Sequence, residues 1–211
     1  MNDKPLILLG AGGHAKVLLS LALAAGKRVA GVCDPDLSKQ GSVDWRGIKV
    51  LGDDTVLDTI DCNSVQLING VGHLAGSSMR LEIHRRFKGK GFHFASLVHP
   101  LAWVDRSAKL GEGAQVMAGA IVQADTILGN GCIVNTKASV DHDCTIGDHA
   151  HIAPGATVCG TVTLGVGTFI GSGATVIQNL SVGDGAVVAA GAVVVRDLSA
   201  GQTLIPRQAF R

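Results

Sequence analysis

The second half of the chain keeps a six-residue beat. From Val98 through Val104, Leu110 and Val116 to Val182, Val188 and Val194, every sixth residue is Val, Leu or Ile. Four places after most of these aliphatics stands a small residue, as at Ala102, Ala108, Ala114, Ala120, Thr126, Cys132, Ala138, Cys144, Ala150 and Ala156, with Val162 and Leu180 as larger exceptions. A glycine often follows the aliphatic directly, as at Gly111, Gly129, Gly147, Gly165, Gly171 and Gly183. Neither the helical period nor the strict alternation of an ordinary strand gives this pattern. It predicts a three-sided parallel solenoid in which each hexad is one short strand and one corner, and three hexads make a coil. The aliphatic and the small residue point inward, and glycine is expected to ease the corner backbone.

Residues 1 to about 90 follow a different pattern. Leu6 to Leu9 reads as a buried strand, Val17 to Ala25 as an apolar helix, Lys27 to Cys33 and Val65 to Asn69 as further strands, and Gly76 to Lys88 as a polar helix. This β-α-β order predicts a parallel sheet with right-handed crossovers. The domains expected are therefore 1–90, an α/β Rossmann-like nucleotide-binding unit, and 91–211, an all-β parallel helix. The run Gly10-Ala11-Gly12-Gly13-His14-Ala15-Lys16 interrupts the early apolar stretch, which argues for strand, loop and helix rather than a signal peptide.

Composition narrows the classes. The 211 residues are 46% hydrophobic and 17% charged, so the chain folds; only 3% are aromatic, consistent with coils that stack on one another instead of enclosing a ring-rich core. A net charge of +1 provides no field for nucleic acid or an anionic membrane. No apolar run is long enough to span a bilayer. Five cysteines, none in a CxxC pair, argue against a disulfide framework or a structural zinc and suit a reducing cytoplasm; all five read as structural.

Two segments carry candidate chemistry. Gly10-x-Gly12-x-x-Ala15 opens a helix after a strand, with Asp34 at the end of the next strand. Such a loop brings backbone N–H groups to a phosphate at a helix N-terminus, although the same spacing also serves a tight turn with no ligand. A unit of this size fits a mononucleotide or nucleotide-sugar better than NAD. In the solenoid, His142, His149 and His151 crowd one stretch. His142 falls in the outward part of its hexad with Asp143 beside it, and a neighbouring carboxylate orients an imidazole and raises its basicity. Arg80, Arg85 and Arg86 read as the solvated face of a polar helix.

A short Gly-x-Gly-Gly-His unit joined to a hexapeptide-repeat solenoid with a mid-solenoid His-Asp pair resembles a bacterial acetyltransferase family: the UDP-4-amino-sugar N-acetyltransferases and the proteins named as sialic acid O-acetyltransferases. The resemblance implies a left-handed parallel β-helix, a homotrimer with sites between subunits, and acetyl-CoA as co-substrate with no metal. It implies His142 as general base and Asp143 as its partner. His151, Ser172 and Ala190 match acetyl-CoA contacts, and Gly12, Gly13, His14, Asp34 and Gly72 match the nucleotide-sugar site. Pro35 departs from the family by replacing a second acid. Arg207 is a candidate contact for CoA phosphates. The expected function is N-acetylation of a UDP-4-amino-4,6-dideoxy sugar in the cytoplasm, for surface-glycan or glycoprotein synthesis. The alternatives are O-acetylation of sialic acid, a γ-class carbonic anhydrase-like zinc enzyme using the three histidines, and a scaffold with an inactive site.

Overall fold

The computed structural model describes residues 4–73 and 75–206; Arg207 lies outside the described residues. The chain forms two compact units that divide between Leu97 and Val98.

In the first unit, β1 (Leu6–Leu9), β2 (Val29–Cys33), β3 (Asp44–Trp45), β4 (Ile48–Gly52) and β5 (Gln66–Asn69) form one sheet in the order β3-β4-β2-β1-β5. Strand β1 has a neighbour on each side and is buried along its whole length. That is why its sequence, LILL, is continuously apolar instead of alternating. Helix α1 (Gly13–Ala24) buries Ala15, Leu18, Leu19 and Ala22, an i, i+3, i+4, i+7 stripe. It begins before the expected Val17, because the Lys16 N–H already reaches the Gly12 carbonyl (3.2 Å). Residues 13–16, expected in a loop, are therefore its first turn.

The sequence expectation lacks the 3-10 turn Asp54–Thr59, a short helix and an edge hairpin. Helix α2 (Pro35–Lys39) starts on Asp34, whose carboxylate caps it, with Pro35 in the first turn where proline is favoured. Strands β3 and β4 form an antiparallel hairpin on the edge of the sheet. Its turn residues Arg46 (φ 56°) and Gly47 (φ 78°) are both left-handed, the geometry that matches strand twist. The pairings β1–β2 and β1–β5 are parallel, as expected, and the additional strand β4 also runs parallel to β2. Helix α3 (Met79–Gly89) follows β5, and the chain then returns beside β5, where Leu67 and Phe94 bridge.

The second unit is built of two-residue strands stacked on three faces. Face I includes Gln115–Val116, Ile133–Val134, His151–Ile152, Phe169–Ile170 and Val187–Val188. Face II includes Trp103–Val104, Ile121–Val122, Ser139–Val140, Thr157–Val158 and Thr175–Val176. Face III includes Lys109–Leu110, Ile127–Leu128, Thr145–Ile146 and Thr163–Leu164. Partners on a face are parallel and one coil apart, as in Ser139↔Thr157 and Val140↔Val158. The periodic aliphatics from Val116 to Val194 and most of the small residues form one buried core. Each aliphatic removed from water contributes roughly 1.5–3 kcal/mol, which is how so few rings suffice. Thr126 is fully buried at an inward corner position and donates its hydroxyl to the Asp141 carbonyl (2.7 Å).

Glycine's role at the corners differs from the expectation. The glycine that directly follows the aliphatic is there for space. A Cβ on Gly147 would lie 2.6 Å from the Gly165 carbonyl carbon and 2.7 Å from the Val166 nitrogen of the next coil. The left-handed residue is instead the third after the aliphatic, at each sixth position from Gly113 to Gly191. At the corner between faces II and III none of these is glycine: Asp125, Asp143, Thr161 and Asn179 hold φ values of 57° to 60°. Asp and Asn tolerate this region, but a β-branched Thr does not do so readily.

Candidate functional site

The expected base of the second unit, His142, lies on that II–III corner. Asp143, in the left-handed conformation, turns its carboxylate back along the chain, and Asp143 Oδ2 lies 2.8 Å from His142 Nδ1. Both side chains remain open to solvent, 57% and 59% exposed. Asp141 accepts the His142 backbone N–H (2.9 Å), so His142 stands between two carboxylates. The hydrogen bond to Asp143, with the nearby charge of Asp141, raises the His142 pKa above its ordinary 6.5. With Nδ1–H donated to Asp143, Nε2 keeps its lone pair, the tautomer a base needs.

The seat of the imidazole is a residue that sequence reasoning missed. A Cβ on Gly160 would lie 2.7 Å from both Cε1 and Nε2 of His142. Gly160 is one coil after His142, and the next residue, Thr161, donates its N–H to the His142 carbonyl (2.9 Å). Reading the sequence in rows of eighteen places this glycine directly over the histidine.

The three clustered histidines do not meet within the chain. His149 is buried at the corner between faces III and I, where a Cβ on Gly131 would lie 2.5 Å from its Nδ1. His151 is on face I, 7% exposed, with its ring edge-on to Phe169 (5.1 Å). The amide of Asn135 is oriented by its Oδ1, which accepts the Thr136 N–H (2.8 Å); its Nδ2 then faces His151 Nε2 at 3.0 Å. Among the described residues no group of three or more His, Cys, Asp or Glu side chains converges as metal ligands would. Ser172 and Ala190 stack on a third corner, between faces I and II, joined by the Gly191 N–H to Ser172 carbonyl bond (2.9 Å). One chain therefore brings together His142, Asp143 and Gly160, but sets His151, Ser172 and Ala190 on other sides of the triangle.

The cysteines are free and built into the structure. Cys144 points inward and donates to the Cys159 carbonyl (3.2 Å), and burial raises its pKa. Burial likewise pushes the Cys33 thiol up to about 12. Neither is available as a thiolate.

In the first unit, Gly10 to His14, Asp34, Gly70 to Gly72, Ser77 and Met79 line a cavity of about 440 Å³, within the range of small-ligand sites. The expected Gly12, Gly13, His14, Asp34 and Gly72 all lie here. Helix α1 starts at this cavity with glycine at its N-cap, no side chain capping it and no acid in its first turn. The N-terminus of a helix presents backbone N–H groups, and α1 presents its N-terminus here. A Cβ on Gly12 or Gly13 would meet nothing within 4 Å, so packing does not demand glycine at either position. Asp34 has structural work. Its Oδ1 accepts the N–H groups of Asp36 and Leu37 (3.0 Å each), and its Oδ2 accepts the Ala11 N–H (2.8 Å). Arg80, expected at a solvated face, is 3% exposed beneath this cavity's Gly70–Gly72 wall.

Residues 5–87 match the family model of the PglD N-terminal domain. The acetyltransferase domain of PglB from Neisseria gonorrhoeae FA1090, solved with acetyl coenzyme A, is 37% identical, with 96% of each chain covered and a TM-score of 0.86. The chain belongs to the hexapeptide-repeat sugar acetyltransferases. A histidine-to-asparagine variant of perosamine N-acetyltransferase from Caulobacter crescentus, solved with CoA and GDP-perosamine, is 36% identical over 94% of this chain and 92% of that one, TM-score 0.87. WeeI from Acinetobacter baumannii AYE shares the fold at 23% identity, with 96% of each chain covered and a TM-score of 0.85. No match was found among curated protein sequences. Membership fixes the solenoid as a left-handed β-helix and acetyl-CoA as the acetyl donor. Among the described residues no helix of this acetyltransferase is long and apolar enough to cross a membrane.

Proposed function

We propose that this acetyltransferase N-acetylates the amine of a UDP-linked 4-amino-4,6-dideoxy sugar, with His142 as general base. The observation that carries the reading is the His142–Asp143 pair seated on Gly160, a single imidazole oriented through Nδ1 with its side chain open to solvent. The amine nitrogen attacks the thioester carbonyl of acetyl-CoA. Nε2 takes the amine proton as the C–N bond forms, and the imidazolium returns it to the departing CoA sulfur as the C–S bond breaks. No acyl-enzyme is required, and burial holds the Cys33 and Cys144 thiols protonated. General base catalysis contributes about 10²–10⁴-fold, and proximity in the ternary complex supplies much of the remainder.

The nucleotide binds in the 440 Å³ cavity, its phosphates against Gly12, Gly13 and His14 at the start of α1, with Gly72 opposite. Asp34 supports uracil over guanine. A carboxylate has about four lone-pair positions. Backbone N–H groups occupy both on Oδ1 and one on Oδ2, which leaves one acceptor position on Oδ2. Uracil presents a single ring N–H. Guanine presents two adjacent donors, which call for both oxygens. Pro35 starts the helix that Asp34 caps, a position where proline is favoured.

Ser172, Ala190 and His151 lie on other sides of the triangle from His142, so we assign them to acetyl-CoA bound by a neighbouring copy, with a homotrimer closing each site. The supply of acetyl-CoA and activated sugars supports a cytoplasmic reaction that serves glycan synthesis. The test is CoA-thiol release from acetyl-CoA with UDP-linked 4-amino sugar, GDP-linked 4-amino sugar or free sialic acid as acceptor, for wild type and His142→Ala. Turnover with the UDP sugar, reduced at least 100-fold in the variant, is expected. Turnover with the GDP sugar alone overturns the Asp34 argument, and turnover with sialic acid alone overturns N-acetylation.

A further inference from the structure

We propose that Arg80 is a positioning residue for the nucleotide-sugar half of the reaction, acting through the Gly70–Val71–Gly72 turn; this rests on the cavity being the nucleotide site. Strand β5 ends at Asn69, and the chain must then turn sharply along the cavity before α3 begins. A turn at a strand end leaves carbonyls with no sheet partner. Arg80, in the first turn of α3, reaches back to supply one. Its Nη1 donates to the Asn69 carbonyl (2.8 Å) and to the Val71 carbonyl (2.9 Å), so a single nitrogen spans the turn on both sides of Gly70. Asn69 completes the arrangement. Its Nδ2 donates to the Arg80 carbonyl (3.0 Å), and its Oδ1 accepts the Val71 N–H (3.1 Å). Asn69 and Arg80 are 4% and 3% exposed, so water does not compete for these bonds.

The turn held this way fits closely against the phosphate loop. The Gly70 N–H donates to the Leu9 carbonyl (2.8 Å), and a Cβ on Gly70 would lie 2.7 Å from Leu8 Cδ1 and 2.9 Å from Ala15 Cβ. Val71 Cγ2 lies 3.2 Å from the Cβ position of left-handed Gly10, and His14 Cβ lies 3.4 Å from that of Gly72. A shift of Val71 or Gly72 therefore changes the gap between the turn and the start of α1. That gap is the cavity. Arg80 itself is not among the residues lining it, so its influence on the ligand passes through the turn. Arg80 lies on the buried stripe of α3 with His84 and Phe87, and the clamp on the cavity wall gives its guanidinium carbonyl partners there.

The experiment compares wild type, Arg80→Met and Arg80→Lys. Arg80→Met removes the donors at similar length. Arg80→Lys keeps the charge on a shorter, single-point head. The readouts are thermal melting, the KM values for acceptor and acetyl-CoA with kcat, and calorimetric binding of UDP and of GDP. Both variants should raise the acceptor KM and weaken nucleotide binding by about ten-fold or more, the effect of losing hydrogen bonds from a charged donor. Arg80→Lys should be the milder, and kcat at saturating acceptor and the acetyl-CoA KM should stay within about two-fold. An unchanged acceptor KM, a loss confined to kcat, a parallel rise in both KM values, or failure of both variants to fold would each overturn the proposal. If wild type binds neither nucleotide and turns over no nucleotide-linked sugar, the nucleotide site itself is wrong and this inference falls with it. Normal wild-type binding with unaffected variants refutes the role of Arg80 alone.

Discussion

Replacing Gly160 with alanine tests whether the position of the His142 ring, beyond its presence, governs the rate. The added methyl would lie 2.7 Å from Cε1 and Nε2, whereas ordinary contact begins near 3.4 Å. The ring must therefore retreat by about 0.7 Å at the least, and by about 1 Å for a comfortable carbon contact. The backbone offers little relief, because the Gly160 carbonyl accepts the Asn179 N–H (3.1 Å) and the adjacent Thr161 N–H holds the His142 carbonyl (2.9 Å). The side chain of His142 is exposed and gives way first, carrying Nε2 outward and stretching the 2.8 Å bond to Asp143. A misplacement of about 1 Å at the reacting centre costs on the order of 10²-fold in rate. Stability should hardly change, since Gly160 is not among the left-handed glycines and alanine suits its backbone. The assay is CoA-thiol release under saturating substrates, paired with a thermal melt. The expected result is a kcat lower by about 30- to 100-fold with Tm within about 2 °C of wild type. A kcat within three-fold of wild type would refute the seat, and a comparable rate loss accompanied by a large fall in Tm would show that Gly160 serves the coil and not the ring.

Two further predictions concern the partner carboxylate and the phosphate loop. Asp143 raises the His142 pKa, so the neutral base accumulates only above 6.5, and kcat/KM should climb with pH through that raised value. Asp143→Asn withdraws the chief cause of the shift, so its pH profile should begin to climb at lower pH while its plateau falls by about ten-fold or more as tautomer control is lost; a profile displaced to higher pH would contradict the assignment. In the first unit a methyl on Gly13 meets nothing within 4 Å, and the residue is helical, so Gly13→Ala should raise stability by about 0.5–1 kcal/mol. If the phosphates lie against this turn as proposed, the same methyl crowds them and the acceptor KM should rise by about ten-fold or more; a stabilised variant with unchanged acceptor KM would show that no ligand approaches this turn.

How much of this could be read from the sequence depends on which neighbours a solenoid makes. The hexad aliphatics announced the faces because burial along a strand enforces one residue type at one period. The corners were harder. His142, His149 and His151 look like one cluster on paper, yet seven residues exceed one hexad, so His142 and His149 fall on successive corners and point apart. Contact in this architecture comes at a spacing of eighteen, which joins His142 to Gly160 and Ser172 to Ala190. In the first unit the misses have different causes. Helix α1 hid its start behind Gly12 and Gly13, weak helix formers that the turn retains although neither packing nor a positive φ requires them. Arg80 looked solvated because its own helix is polar; what buries it is a pair of carbonyls on a turn of glycines, which no side-chain pattern records. Glycine unaccounted for by the fold and charge unaccounted for by the surface lie around the same cavity. Both make sense if the cavity has an occupant that needs close backbone approach on one side and a fixed wall on the other. An empty strand–helix turn would require neither, which is why binding of UDP to the wild-type chain decides more about the first unit than any single substitution.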